Sequence, residues 1–244
     1  MLRILRPLIS RITAPLGRSL ARIGLTPNIV TVIGAVGVVA GALYFYPRGE
    51  LYAGSVVITV FALFDMLDGA VARAKGTASE FGAFLDSTLD RVADAAILAG
   101  LLWWFIGEGE DPLLAGLTLF CLITGFMVSY IKARAEGLGV NCDVGMAERT
   151  ERLIIILVAV GVSEFGVPYI LAGGLWLLAG LSLVTVLQRL METRARLNDR
   201  DPRLAGLRRG EESEQDSGGS DTASDTGSDA DEQSNSGSDA GTGT

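Results

Sequence analysis

Histidine is absent from all 244 residues, and only two cysteines occur. The first absence removes imidazole acid–base catalysis, Ser-His-Asp triads and His-ligated zinc, so any metal must be held mainly by oxygen. The second leaves little scope for cross-linking. Cys121 stands in an apolar run and Cys142 in a polar loop, a pairing that geometry and a reducing compartment both disfavour, so no disulfide is expected. Acidic surplus is also missing from most of the chain. The formal net charge of -8 is concentrated in residues 211–244, which hold ten carboxylates and no Lys or Arg, while the rest carries 20 basic against 18 acidic residues. What remains is apolar: 49% of residues are hydrophobic and the mean hydropathy is +0.41, with runs approaching bilayer-spanning length. An all-α integral membrane domain is expected.

Along residues 1–24, Arg3, Arg6, Arg11, Arg18 and Arg22 interleave with Leu5, Leu8, Ile9, Ile12, Leu16, Leu20 and Ile23 at helical spacing. That predicts an amphipathic helix lying in the membrane interface, and the interspersed arginines argue against a cleaved secretory signal. Thr26-Pro27 then supplies an N-cap and a first helical residue, opening the first of six predicted spans. These cover residues 29–46, 51–72, 86–106, 112–131, 149–165 and 168–188, within a domain bounded at 25–197. The tail from residue 198 is rich in Ser, Gly, Asp and Thr, which predicts disorder and no catalytic role.

Charge sets the orientation. Arg73, Lys75, Lys132, Arg134, Arg149, Arg152 and Arg189 fall at one set of span ends with the N-terminal arginines, whereas the opposite connections are short and mostly acidic. By the positive-inside rule both termini and the basic connections are cytoplasmic, and a plasma-membrane location is expected. Helix length then places the acids. The uncharged run 51–64 is about 21 Å of helix against a hydrocarbon core of about 30 Å, so the second span crosses only if Asp65 and Asp68 enter the bilayer. The third makes up its length with Asp86, Asp90 and Asp94. Each carboxylate at a helix centre costs about 2.5–3.5 kcal/mol on insertion scales, so such residues normally face a polar cavity.

Spacing turns the acids into a candidate site. Asp65 and Asp68 at i,i+3, and Asp86 and Asp90 at i,i+4, share helix faces, so two adjacent helices converge four carboxylates. An all-oxygen set selects hard divalent ions, and two such ions about 3.5–4 Å apart would clamp a pyrophosphate. Gly69 leaves room for close approach, and Arg73 offers a bidentate phosphate contact. Any one of these acids alone is ordinary as a solvated helix cap.

Together they form the run Asp65-x2-Asp68-Gly69-x2-Ala72-Arg73-x8-Gly82-x3-Asp86-x3-Asp90, which resembles the signature of the CDP-alcohol phosphotransferases. The similarity extends over roughly residues 20–196. Segments 24–31, 129–137 and 148–156 resemble those of the family's bacterial phosphatidylinositol-phosphate synthase branch. The resemblance implies six membrane helices, usually in a homodimer, around a polar cavity open to the cytoplasm. It implies that Asp65, Asp68, Asp86 and Asp90 bind two divalent cations, Mg²⁺ or Mn²⁺, with Asp90 also the general base. Asn28, Thr31, Gly69 and Arg73 would hold the CDP moiety of CDP-diacylglycerol, with Ser79 as a lesser addition.

The acceptor alcohol depends on other residues. Lys132, Arg134, Arg152 and Arg189 lie at one cytoplasmic depth, and if they converge they suit an acceptor already carrying a phosphate. The alternative is that they, and Arg149, are positive-inside anchors or partners of Glu148 and Glu151. The segment resemblance selects inositol phosphate (1D-myo-inositol 3-phosphate), yielding phosphatidylinositol phosphate and CMP. Glycerol 3-phosphate, as used by phosphatidylglycerol-phosphate synthases, is the nearest alternative. A divalent-cation transporter is the competing class, though the acids cluster at one bilayer end and no inverted repeat is evident. Gly34, Gly37 and Gly41 suit close helix packing or a dimer contact, and no nucleic-acid partner is expected.

Overall fold

The computed structural model describes Ser19 and residues 24–65, 67–75, 79–142, 144–145, 149–167 and 169–200, without the side chains of 73–75. The interfacial helix expected over 1–24 and the tail from 198 therefore lie almost wholly outside the described residues. Contacts divide the chain into units 1–194 and 195–244, and of the second only residues 195–200 are described, as the end of the last helix.

Among the described residues every regular element is a helix: α1 Pro27–Phe45, continued by a 3-10 turn Tyr46–Arg48, α2 Leu51–Asp65, α3 Asp68–Lys75, α4 Glu80–Ile106, α5 Pro112–Gly137, α6 Arg149–Ser163 and α7 Ile170–Arg200. Local chemistry starts them. Thr26 Oγ1 accepts the Ile29 amide at 3.4 Å with Pro27 following, as expected from sequence. Ser79 caps α4 by accepting the Gly82 amide at 3.0 Å, and Asp111 caps α5 through Leu114 at 3.0 Å. The exposed start of α2 is capped from afar, the Tyr52 amide donating to Glu164 Oε2 at 2.6 Å. That bond fixes the start of α2 to the turn that ends α6.

Helix α1 packs along α2 and α4, α5 against α4, and α6 against α2. The main core joins Val38, Ala42, Ile58, Ile97, Leu101 and Leu175. Within it Tyr46 and Ser55 share a buried hydroxyl–hydroxyl bond of 3.0 Å, which satisfies both groups away from water. The outside is apolar too. Val36, Val60, Ile123 and Trp176 are each more than half exposed, an inversion of the soluble pattern that fits contact with lipid.

Among the described residues four helical stretches, Pro27–Arg48, Leu51–Ala72, Pro112–Gly137 and Ile170–Arg200, are long and apolar enough to cross a membrane. The protein is a multi-pass membrane protein. The two other expected spans differ from these four for physical reasons. Helix α4 carries Glu80, Asp86, Asp90, Arg91 and Asp94 along its first half, and α6 has 15 residues, about 22 Å.

The expected second span is not one continuous helix. It ends at Asp65, turns through Leu67, whose amide bonds Phe64 oxygen at 3.0 Å, and restarts at Asp68. Leu67 and Val71 bury themselves against Val30, which turns α3 back onto the start of α1. Asp65 and Asp68 flank the turn at Leu67, and their carboxylates lie close together, as their i,i+3 spacing predicts. The small residues of α1 resolve as packing within the chain, since Phe61 lies against Gly37 and Val57 against Gly41.

Candidate active site

The acidic part is built at the junction of α2, α3 and α4. Asp65, Asp68 and Asp86 each offer a carboxylate oxygen within 4.8 Å of the others. Asp68 is held by neutral donors: Thr31 Oγ1 donates to its Oδ2 at 2.9 Å, and the Gly69 amide donates to Oδ1. Asp65 Oδ1 is buried and has no hydrogen-bond partner among the described residues. Three clustered carboxylates and an orphaned buried oxygen fit a hard divalent cation, which supplies the missing charge and a ligand for that oxygen.

Helix packing sets the position of Asp65. A methyl group on Gly34 would stand 2.8 Å from Asp65 Cβ and 3.0 Å from its Cα, so only glycine lets α1 approach the end of α2. Gly34→Ala is expected to push Asp65 outward while favouring the helix itself. A displacement of that kind costs up to about 100-fold in turnover, measured on folded protein. Unchanged turnover would show that Asp65 tolerates the shift. Gly82 allows a second close approach, its α-carbon facing Asn28 Oδ1 and Ser79 Oγ, to which a methyl would come within 3.2 and 3.1 Å.

Asp90 stands one turn beyond Asp86 and outside the trio. Its Oδ1 meets Arg149 Nη2 at 2.9 Å and its Oδ2 lies 3.7 Å from Arg91 Nη2. Arg149 continues to Asp94, with Nε 3.3 Å from Oδ1, and Arg152 Nη2 is 3.7 Å from Asp94 Oδ2. An acidic lobe and a cationic lobe thus meet at the Asp90–Arg149 pair. Beyond it opens a cavity of about 50 Å³ with Arg149 and Arg152 at its polar side and Leu98, Leu122, Phe126 and Ile156 among its walls. Arg152 is 9% exposed, and its Nη1 has no hydrogen-bond partner among the described residues.

The expected residues distribute unevenly over this geometry. Asp65, Asp68 and Asp86 converge, Asp90 joins them to the cations, and Asn28, Thr31, Gly69 and Ser79 border the acidic lobe. Thr31 is 3% exposed and bonded to Asp68, so it orients that carboxylate. Ser79 serves as a helix cap. The Arg73 side chain lies outside the described residues.

The four cations do not converge on the cavity as expected. Arg152 lines it, whereas Lys132 lies 3.7 Å from Glu136 and Arg134 is exposed; neither lines the cavity. Arg189 donates from Nε to Val144 oxygen at 2.9 Å and from Nη1 to Val128 oxygen at 2.6 Å, tying α7 to α5. Sequence reasoning missed Arg91 and undervalued Asp94 and Arg149. Their signal was complementary spacing: acids at 90 and 94 and arginines at 149 and 152 each repeat within a turn.

Comparison with known proteins identifies the family. Residues 24–187 match the family described as CDP-alcohol phosphatidyltransferase. The chain is 50% identical over 188 residues to the phosphatidylinositol phosphate synthase of Mycobacterium tuberculosis, covering 76% of this chain and 87% of the relative. It is 46% identical over 207 residues to the enzyme of that name from Streptomyces avermitilis, covering 82% and 85%. A crystal structure of the M. tuberculosis enzyme with CDP-DAG bound is similar at a TM-score of 0.72, 50% identity, and coverage of 75% of this chain and 94% of that one. Another, in complex with manganese and citrate, is similar at a TM-score of 0.71 with 50% identity, covering 74% and 88%.

Proposed function

We propose, from the premise that this chain belongs to the CDP-alcohol phosphatidyltransferase family, that it transfers the phosphatidyl group of CDP-diacylglycerol to inositol phosphate, releasing CMP. The observation that carries this reading is the contact of the two lobes at the 2.9 Å Asp90–Arg149 pair. The acidic side suits a cation-bound pyrophosphate and the arginine side a phosphorylated acceptor, an arrangement that favours transfer from one to the other.

Asp65, Asp68 and Asp86, with Asp90 adjoining, would hold the divalent cations, Mg²⁺ or Mn²⁺. When bound, these offset the negative charge of the pyrophosphate and of departing CMP. The chain's own groups do the rest. Thr31 and the Gly69 amide fix Asp68, and Gly34 admits Asp65. Asn28, Gly69 and Arg73 bind the CDP moiety, with Thr31 and Ser79 shaping its surroundings. The acceptor hydroxyl attacks the β-phosphorus, its proton passes to a carboxylate oxygen of Asp90, and the bond to CMP breaks. Arg149 orients Asp90 for that transfer, while Arg152, with Arg189 behind it, binds the acceptor's phosphate. The reading extends to a homodimer with six spans in the plasma membrane, both termini and the cavity on the cytoplasmic side.

The test is an assay of purified full-length protein with Mg²⁺ or Mn²⁺, CDP-diacylglycerol and, in turn, inositol phosphate, glycerol 3-phosphate and inositol. CMP should appear fastest with inositol phosphate. Faster release with glycerol 3-phosphate would overturn the acceptor, and release with none of them would overturn the reaction and favour cation transport.

A further inference from the structure

Asp94 lies outside the eight-position motif, yet three guanidinium groups meet on it. Oδ1 faces Arg149 Nε at 3.3 Å, and Oδ2 faces Arg152 Nη2 at 3.7 Å and Arg91 Nη2 at 4.0 Å. Arg149 and Arg152 sit at i,i+3 on α6, so their like charges repel across one helix face. One carboxylate placed between them reverses that balance. It also gives a counter-ion to Arg152, whose burial would otherwise leave a charge unpaired.

Asp94 takes only one edge of Arg152. The opposite donor, Nη1, has no hydrogen-bond partner among the described residues and stands beside Gly125, where a methyl would come 3.6 Å from it. Ser182 Oγ lines the same cavity, is 1% exposed in its residue, and likewise has no partner there. Charge completes the picture. Asp90 and Asp94 together face three guanidinium groups, and the positive charge left over favours a phosphomonoester, which carries roughly -1.5 to -2 at neutral pH.

We infer that Asp94 is a positioning residue for the phosphorylated acceptor: it holds Arg149 and Arg152 on one carboxylate and turns the free edge of Arg152 to the cavity. The inference rests on the proposed reading that Arg152 binds the acceptor's phosphate. Its specific content is that selectivity for a phosphorylated over an unphosphorylated alcohol passes through a carboxylate at the cavity wall that acts by holding the arginines.

The experiment measures KM for inositol phosphate and for CDP-diacylglycerol in full-length wild type, Asp94→Asn, Asp94→Glu and Arg152→Gln. Asp94→Asn should raise the acceptor KM about 10- to 100-fold, the size of loss seen when the partner that orients a metal ligand is removed, with the CDP-diacylglycerol KM unchanged. Asp94→Glu should recover part of that loss. Should the amide fail to fold, Asp94→Ser carries the same expectation. Equal rises in both constants, or an unchanged acceptor KM, would overturn the inference. Arg152→Gln separates the two failures. If it raises the acceptor KM while Asp94→Asn does not, only the role of Asp94 falls; if it leaves that KM unchanged, the phosphate pocket itself is misplaced.

Discussion

Asp90→Asn should abolish transfer while leaving CDP-diacylglycerol binding close to wild type. The amide retains the shape of the carboxyl group and one oxygen for Arg149, which meets Oδ1 at 2.9 Å, but it does not take up the acceptor's proton. Loss of a positioned base costs about 10²- to 10⁴-fold in turnover, and loss of a cation ligand at the same atom adds to it. Binding survives because Asp65, Asp68 and Asp86, the trio within 4.8 Å, are untouched. Single-turnover CMP release and equilibrium binding of the CDP-lipid separate the two effects. A purely electrostatic role has a different signature: Arg149→Gln breaks the same ion pair without removing the base. If both variants lose turnover equally, or if Asp90→Asn turns over near the wild-type rate, Asp90 is not the base.

Removing divalent cations should abolish turnover as completely, and with it part of the protein's thermal stability. Two ionised carboxylates at the 4.8 Å limit of the trio repel by roughly 3 kcal/mol at an effective dielectric of about 20, and the trio contains three such pairs. The hydroxyl and amide on Asp68 are neutral and leave the net charge of the trio uncompensated. A cation bound only by the folded state stabilises it by about 2.7 kcal/mol at a concentration 100 times its dissociation constant. Full-length protein in chelator should therefore melt at a lower temperature, and Mg²⁺ or Mn²⁺ should restore both melting and CMP release. Asp68→Ala should lose the cation-induced shift. A shift of wild-type size in that variant would place the stabilising cation elsewhere.

Much of this site was legible beforehand because its chemistry is local. Asp65, Asp68, Asp86 and Asp90 declare themselves by their cost in a membrane, and the absence of histidine restricts any metal to oxygen ligands. Thr26 as a cap and Pro27 as a first helical residue were read from two adjacent letters, because capping involves only the next turn. The break after Asp65 was not legible. It depends on Leu67 and Val71 finding Val30, and on Asp68 finding Thr31 37 positions away. The sequence favoured one continuous helix there because residues 51–64 are uncharged and no proline interrupts 51–72.

The cationic half shows the same division. Sequence placed basic residues at one end of the spans, since that bias acts through composition, but it could not rank them. Packing did so: it sealed Arg152 beside Asp94, committed Arg189 to the carbonyls of Val128 and Val144, and left Arg134 exposed. By itself the sequence determined a membrane-embedded protein, its acidic motif and hence the class of chemistry, all set by residue type and by spacing within a few turns. The tertiary structure alone decided which cation faces which acid, because a charge pair forms between helices some 55 residues apart only where packing brings them within about 4 Å.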